Sequence, residues 1–219
     1  MKKRLLATAV ALASTSAFAE PTAVMKVTGT MTNPACTAEL GNGGVVDFGT
    51  ISLGELSATS NNHIGEKTLP VTISCVAPTK VGFSIVDNRR ETNAGISVPL
   101  DSSSSANKIA TFGVGTTEAG VNIGSYAFMA QNAVADSTTV SIINHNNDWT
   151  DTKWNTSTIP RNDGFNILSF ANTGTLTPIA IKTVTFGMMT SLSIQSTGTL
   201  AITDDTALDG QATMTLVYL

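Results

Sequence analysis

The chain has 219 residues, 42% of them hydrophobic, 13% charged and 5% aromatic, with a formal net charge of −4 at pH 7. Ample apolar content with little charge excludes a disordered polyelectrolyte, and 12 basic residues against 16 acidic ones leave no cationic footprint for nucleic acid. Threonine outnumbers all charged residues together, and Thr, Val and Ile on a glycine-rich background favour pleated strands over long helices.

Residues 1–19 read as a secretory signal. Lys2, Lys3 and Arg4 form a positive start, 5–13 an apolar stretch, and Ala17-Phe18-Ala19 a small-residue cleavage site. That stretch is too short to cross a bilayer core of about 30 Å as a helix, and no later segment is long and apolar enough. The expected mature protein is therefore a single exported, anionic domain, 20–219. In such a compartment the even pair Cys36 and Cys75 is expected to form a disulfide. A reactive or zinc-binding role is disfavoured, because there is no Cys-x-x-Cys and no His at zinc spacing.

Along the chain, residues 25–32 alternate Met25, Val27, Gly29 and Met31 with Lys26, Thr28, Thr30 and Thr32, the pattern of a half-buried strand. Asn33-Pro34 ends it. A Gly-rich turn at 41–44 leads into strand-like 45–49. Runs 69–76 and 81–86 flank Ala77-Pro78-Thr79-Lys80, a hairpin or short connection. Residues 102–107 read as a Ser-rich loop, followed by weaker strands near 109–114, 123–130 and 138–143.

Residues 144–163 lose periodicity and hold both tryptophans, so they predict a long surface excursion. Strand-like text resumes at 165–170, 179–188, 192–195 and 200–203. The chain closes on Ala212, Met214, Leu216 and Tyr218 alternating with Thr213, Thr215, Val217 and Leu219. Many short strands without helical punctuation predict an all-β fold, a single antiparallel immunoglobulin-like sandwich.

Four features together resemble the pilin subunits of chaperone–usher fimbriae of Gram-negative bacteria. They are the run from Val27 to Cys36 with Gly29 seven residues before the cysteine, Val46-Asp47-Phe48-Gly49-Thr50-Ile51 after it, Cys75 late in a strand, and the alternating C-terminus with Tyr218 penultimate. Thr72-Ile73-Ser74-Cys75-Val76-Ala77-Pro78-Thr79, Asp87-Asn88-Arg89 and Gly174-Thr175-Leu176-Thr177-Pro178-Ile179 are similar to a poorly characterised family of exported, fimbrial-like proteins of unknown function.

The resemblance implies a sandwich lacking its last strand, completed by a strand from a periplasmic chaperone and later from another pilus subunit, with assembly at an outer-membrane usher. Ala212, Met214, Leu216 and Tyr218 are then the edge that partner reads, or, as ordinary core residues, one side of a closed sheet. Met25 and Val27 are the candidate donor segment. Only about six residues, 20–25, precede the first expected strand, so at about 3.3 Å per residue the chain is expected to accept a strand better than it supplies one. The competing readings are a soluble periplasmic binding or regulatory protein with a self-completed sheet, and a carbohydrate-binding tip subunit.

The sequence carries no G-x-S-x-G elbow, no H-E-x-x-H and no P-loop. No cofactor or metal is expected. The two histidines, His63 and His145, lie in Asn-rich text that reads as solvated loop. Residues 144–151 place oxygen side chains at alternate positions but lack the mid-loop Gly and terminal Glu of a calcium loop. Trp149 and Trp154 are candidate glycan contacts, the plainer account being that they anchor the excursion. Asp204, Asp205 and Asp209 read as a solvated turn.

Overall fold

A computed structural model describes residues 25–29, 35–101, 104–147 and 153–219. The signal-like residues 1–19 and Trp149 lie outside the described residues. The chain divides into two units, Met1–Asn33 and Pro34–Leu219. In the first, residues 25–29 carry no regular secondary structure, and Met25 and Val27 are 90% and 91% exposed. The strand expected over 25–32 is therefore not formed in its described part: alternation supplies a face, but a strand needs a hydrogen-bonded neighbour.

The second unit is the antiparallel β-sandwich. Its strands are β1 (Cys36–Leu40), β2 (Asn62–Thr79), β3 (Val81–Asp87), β4 (Val98–Pro99), β5 (Ser105–Ala106), β6 (Thr111–Gly113), β7 (Gly124–Ala135), β8 (Thr138–Asn146), β9 (Asn166–Asn172), β10 (Ile181–Ile194) and β11 (Ala212–Tyr218), with short 3-10 turns at Gly41–Gly44, Leu53–Glu55 and Arg90–Thr92 and one α-helical turn, α1 (Thr197–Leu200). Hydrogen bonding links them in the order β1-β2-β10-β7-β8-β9-β3-β11, with β6 beside β7 and a separate β4–β5 pair. The first four strands form one layer and the last four the other. The chain changes layer at a two-residue turn between β7 and β8, where Asp136 and Ser137 adopt φ of 47° and 69°. Such left-handed pairs match the twist of a tight hairpin, and the Asp136 carboxylate fixes this one by accepting from the Thr183 and Lys182 amides.

Period-two alternation builds the core. Leu69, Val71, Ile73 and Cys75 of β2 are buried while Pro70, Ser74 and Val76 are exposed. Between the layers Phe83 stacks on Phe186 at 5.1 Å, with Phe170 at 6.4 Å and 5.5 Å from the two. A smaller cluster of Val98, Leu100, Ala106, Ala110, Ala127 and Met189 covers the outer face of β7 and β10. This explains why β10 is buried on both faces from Met188 onward.

Within the second layer β3 and β9 approach closely at Gly82, opposite Ser169 in β9. A Cβ there would lie 2.5 Å from the Leu168 carbonyl oxygen and 2.7 Å from Ile167 Cγ2. Gly82→Ala is accordingly expected to destabilise by about 1–3 kcal/mol through overpacking; an unchanged denaturant midpoint would show that the β3–β9 contact yields freely.

Five expectations are corrected or narrowed. Residues 45–49 form no strand: Asn42, Gly43 and Gly44 turn through φ of 49°, 61° and 80°, and the Gly49 amide folds back onto the Asp47 carboxylate at 2.7 Å. Of the two alternatives for 77–80, the short connection holds and the hairpin does not: Ala77–Thr79 continue β2, the chain bends between layers at Lys80, and β2 and β3 pair with different neighbours. The run 200–203 is not a strand, because Ser196 caps α1 by accepting from the Thr199 amide. The excursion begins after Asn146 rather than at Asn144, and Asn155 folds back to exchange two 2.8 Å backbone bonds with Asn144. The histidines occupy strands: His63 bonds Ser191 Oγ at 3.0 Å, and the His145 ring lies 5.0 Å from Trp154.

Candidate functional site

The strand order ends on β11, which is paired with β3 alone among the described residues. Two bonds at its ends fix which backbone groups face outward. Asn88 N–H donates to the Gln211 carbonyl at 2.9 Å, and Leu219 N–H donates to the Lys80 carbonyl at 3.0 Å. Bonded and non-bonded pairs alternate along an antiparallel ladder. Thr213, Thr215 and Val217 therefore direct their backbone groups to β3, and Ala212, Met214, Leu216 and Tyr218 direct theirs to the free edge. The same four residues carry the side chains of the core-facing row, so an incoming strand would meet free amides, free carbonyls and apolar side chains in one register.

Beside that edge lies a cleft of about 1120 Å³. Its floor is the inner face of the first layer: Leu69 of β2, Tyr126 and Phe128 of β7, and Met188, Thr190, Leu192 and Ile194 of β10. One wall is the irregular segment 45–51 that follows β1, with Phe48 and Ile51 packed on the core. The opposite wall is 208–214, and Leu200 with Ile202 closes one end. At the other end the Tyr218 hydroxyl accepts from Cys36 N–H at 2.8 Å, tying the start of β1 to the end of β11. The two edges are thus drawn together at one point and separated by the cleft along the rest.

Of the four edge residues read from the sequence, Ala212 and Met214 line the cleft, Leu216 packs against the core, and Tyr218 spans the seam. Cys36 and Cys75 are disulfide-bonded and sit directly opposite each other in the β1–β2 pair. Trp154 is half-buried against His145. Asp209 pairs with Arg89 at 2.9 Å, both exposed. Among the described residues no group of three or more His, Cys, Asp or Glu side chains converges as a metal site. The sequence reading missed the cleft's wall at 45–51 and Thr190 in its floor. The one available signal was the interruption of Met188, Leu192 and Ile194 by a hydroxyl at a core-facing position.

A buried carboxylate stands beside the cleft. Asp87, 5% exposed and opposite Ala212, accepts from the Gly113 and Arg89 amides, both at 2.8 Å. Burial raises its pKa above the ordinary 3.8 despite those bonds, and burial also pushes the Tyr126 phenol up, with the Asp87 charge adding to the shift. Between 3.8 and the raised value the folded protein holds a proton that the unfolded chain releases, so stability is highest below that window and falls as pH rises through it. Asp87→Asn is expected to flatten this part of the urea-midpoint profile; an unchanged slope would assign it to another group.

Residues 25–127 match the model of a family described as a protein of unknown function, DUF1120. The chain is similar to the uncharacterized protein YhcF of Escherichia coli K12, 29% identical over 236 aligned positions that cover 99% of this chain and 98% of that protein. It is also similar to the protein GltF of the same organism, 28% identical over 247 positions covering 96% and 94%.

Proposed function

We propose that this protein is an exported structural subunit of pilin type, whose cleft takes up a β-strand first from a periplasmic chaperone and then from a neighbouring fimbrial subunit. The observation that carries this reading is the β11 edge, unpaired among the described residues, with the backbone groups of Ala212, Met214, Leu216 and Tyr218 directed outward and Ala212 and Met214 lining a cleft of about 1120 Å³. An uncovered edge of this kind is an aggregation hazard that a donated strand removes. The Cys36–Cys75 bond suits an oxidising compartment such as the periplasm, the site of chaperone capture.

Periplasmic expression with and without a co-encoded chaperone tests the reading. The expected outcome is a soluble one-to-one complex with the chaperone and aggregation without it. Met214→Glu, which sets a charge in the cleft wall, is expected to lower co-purification at least tenfold. Full-yield monomer in the absence of any chaperone, unaffected by Met214→Glu, would overturn it. That result would favour the second reading, a soluble periplasmic binding or regulatory protein, which draws on the Tyr218–Cys36 tie as the beginning of a self-closed seam.

A further inference from the structure

Resting on the strand-uptake reading, we propose that the strand this cleft accepts comes from a different protein and carries one small hydrogen-bonding side chain facing Thr190 within an otherwise apolar row. Thr190 is 3% exposed, and its hydroxyl is the one buried side-chain polar atom without a partner among the described residues. The buried hydroxyls of Ser125, Ser169 and Ser191 are all bonded, to Asn93 Oδ1, the Val81 carbonyl and the Pro99 carbonyl. The exception therefore falls in the floor of the cleft, between Met188 and Leu192 on the same face of β10.

A buried unpaired hydroxyl is costly, and valine would fill the same volume without that cost. Leaving it open is accounted for if the occupant supplies the missing partner. The complementary side chain is small enough for a groove-facing position and both donates and accepts, as Ser, Thr or Asn do.

A second copy of this chain does not offer that chemistry in residues 25–31 of its sequence. The apolar row there is Met25, Val27, Gly29 and Met31, with no hydrogen-bonding side chain, and the alternate row would bury Lys26. The fitting donor is thus a non-identical strand of alternating apolar residues interrupted once by a hydroxyl or amide.

A fluorescence-anisotropy titration of the purified protein with labelled synthetic peptides tests this. The host peptide carries valines at every groove-facing position and lysines at alternate outward ones, and each valine is replaced by threonine in turn. At one position threonine is expected to bind about fivefold more tightly than valine, as one recovered hydrogen bond allows. Elsewhere threonine weakens binding. Thr190→Val is expected to abolish the preference, Thr190→Ser to retain it, and a peptide of residues 23–33 of this chain to bind more weakly than the best threonine peptide. The proposal is overturned if the all-valine peptide binds wild type best, if the preference survives in Thr190→Val, or if the 23–33 peptide matches the best competitor. The first of these would mean that bound water alone serves the hydroxyl. Binding by no peptide of any composition would overturn strand uptake itself, a result distinct from all-valine preference.

Discussion

Phe83→Ala is expected to lower the unfolding free energy by about 3–5 kcal/mol, the range for deleting a buried aromatic ring. Phe83 is 0% exposed and joins the two layers: its ring stacks on Phe186 of the first layer and approaches Phe170 of the second. Its strand is also the neighbour of β11 among the described residues, with Leu216 directly opposite Phe83. The cavity left behind would lie opposite Leu216, so β11 loses part of its support. With domains of this kind stable by about 5–15 kcal/mol, a melting temperature lower by about 10 °C is the expected reading. A fall under about 1 kcal/mol would mean that the layers repack around the gap and that the aromatic cluster is not the keystone between them.

The sandwich was legible because its strands obey period two. Leu69, Val71 and Ile73 announce β2, and the terminal alternation announces β11, whose residues 212–218 match the expected run. The discrepancies at 45–49 and 200–203 share one cause: β-branched residues suit a strand, but nearby side-chain bonds turn the chain. Val45, Val46 and Ile51 are as strand-like as any, yet Asn42 and Asp47 redirect the backbone with their own side-chain bonds, Asn42 Nδ2 to the Val45 carbonyl and Asp47 to the Gly49 amide. Likewise Ser196 diverts 197–200 into a helical turn.

The edge residues of the site were readable for the same periodic reason, and its depth was not. The floor brings together β2, β7 and β10, strands distant in sequence, and sequence spacing does not report such pairing. The histidines show the limit from the other side. Asn-rich flanks imply a solvated loop; His63 is exposed but lies on a strand, bonded to Ser191 across the β2–β10 pair, and half-buried His145 meets the Trp154 ring, partners 128 and nine residues away.

Removing the disulfide with Cys36→Ser and Cys75→Ser is expected to cost about 4 kcal/mol in the chain-entropy account for a closed loop of this length, with 39 residues of separation. The consequence reaches the cleft, because β1 has little else to hold it. It is five residues long, four of them exposed, and among the described residues it pairs with β2 alone. An edge strand that buries so little apolar area frays readily. Fraying would withdraw Cys36 N–H from the Tyr218 hydroxyl and release the wall at 45–51, so the seam opens at the one point where it is tied. Two readouts should move together: the denaturant midpoint falls, and amide exchange accelerates over 36–51 and at the C-terminal end of β11. Tyr218→Phe separates the contributions, since it removes the tie and leaves the covalent link. It is expected to speed exchange near Cys36 while changing stability by only about 1 kcal/mol. If the double serine variant loses its midpoint stability with no change in exchange over 36–51, the bridge acts on the unfolded chain alone and the cleft wall stands without it.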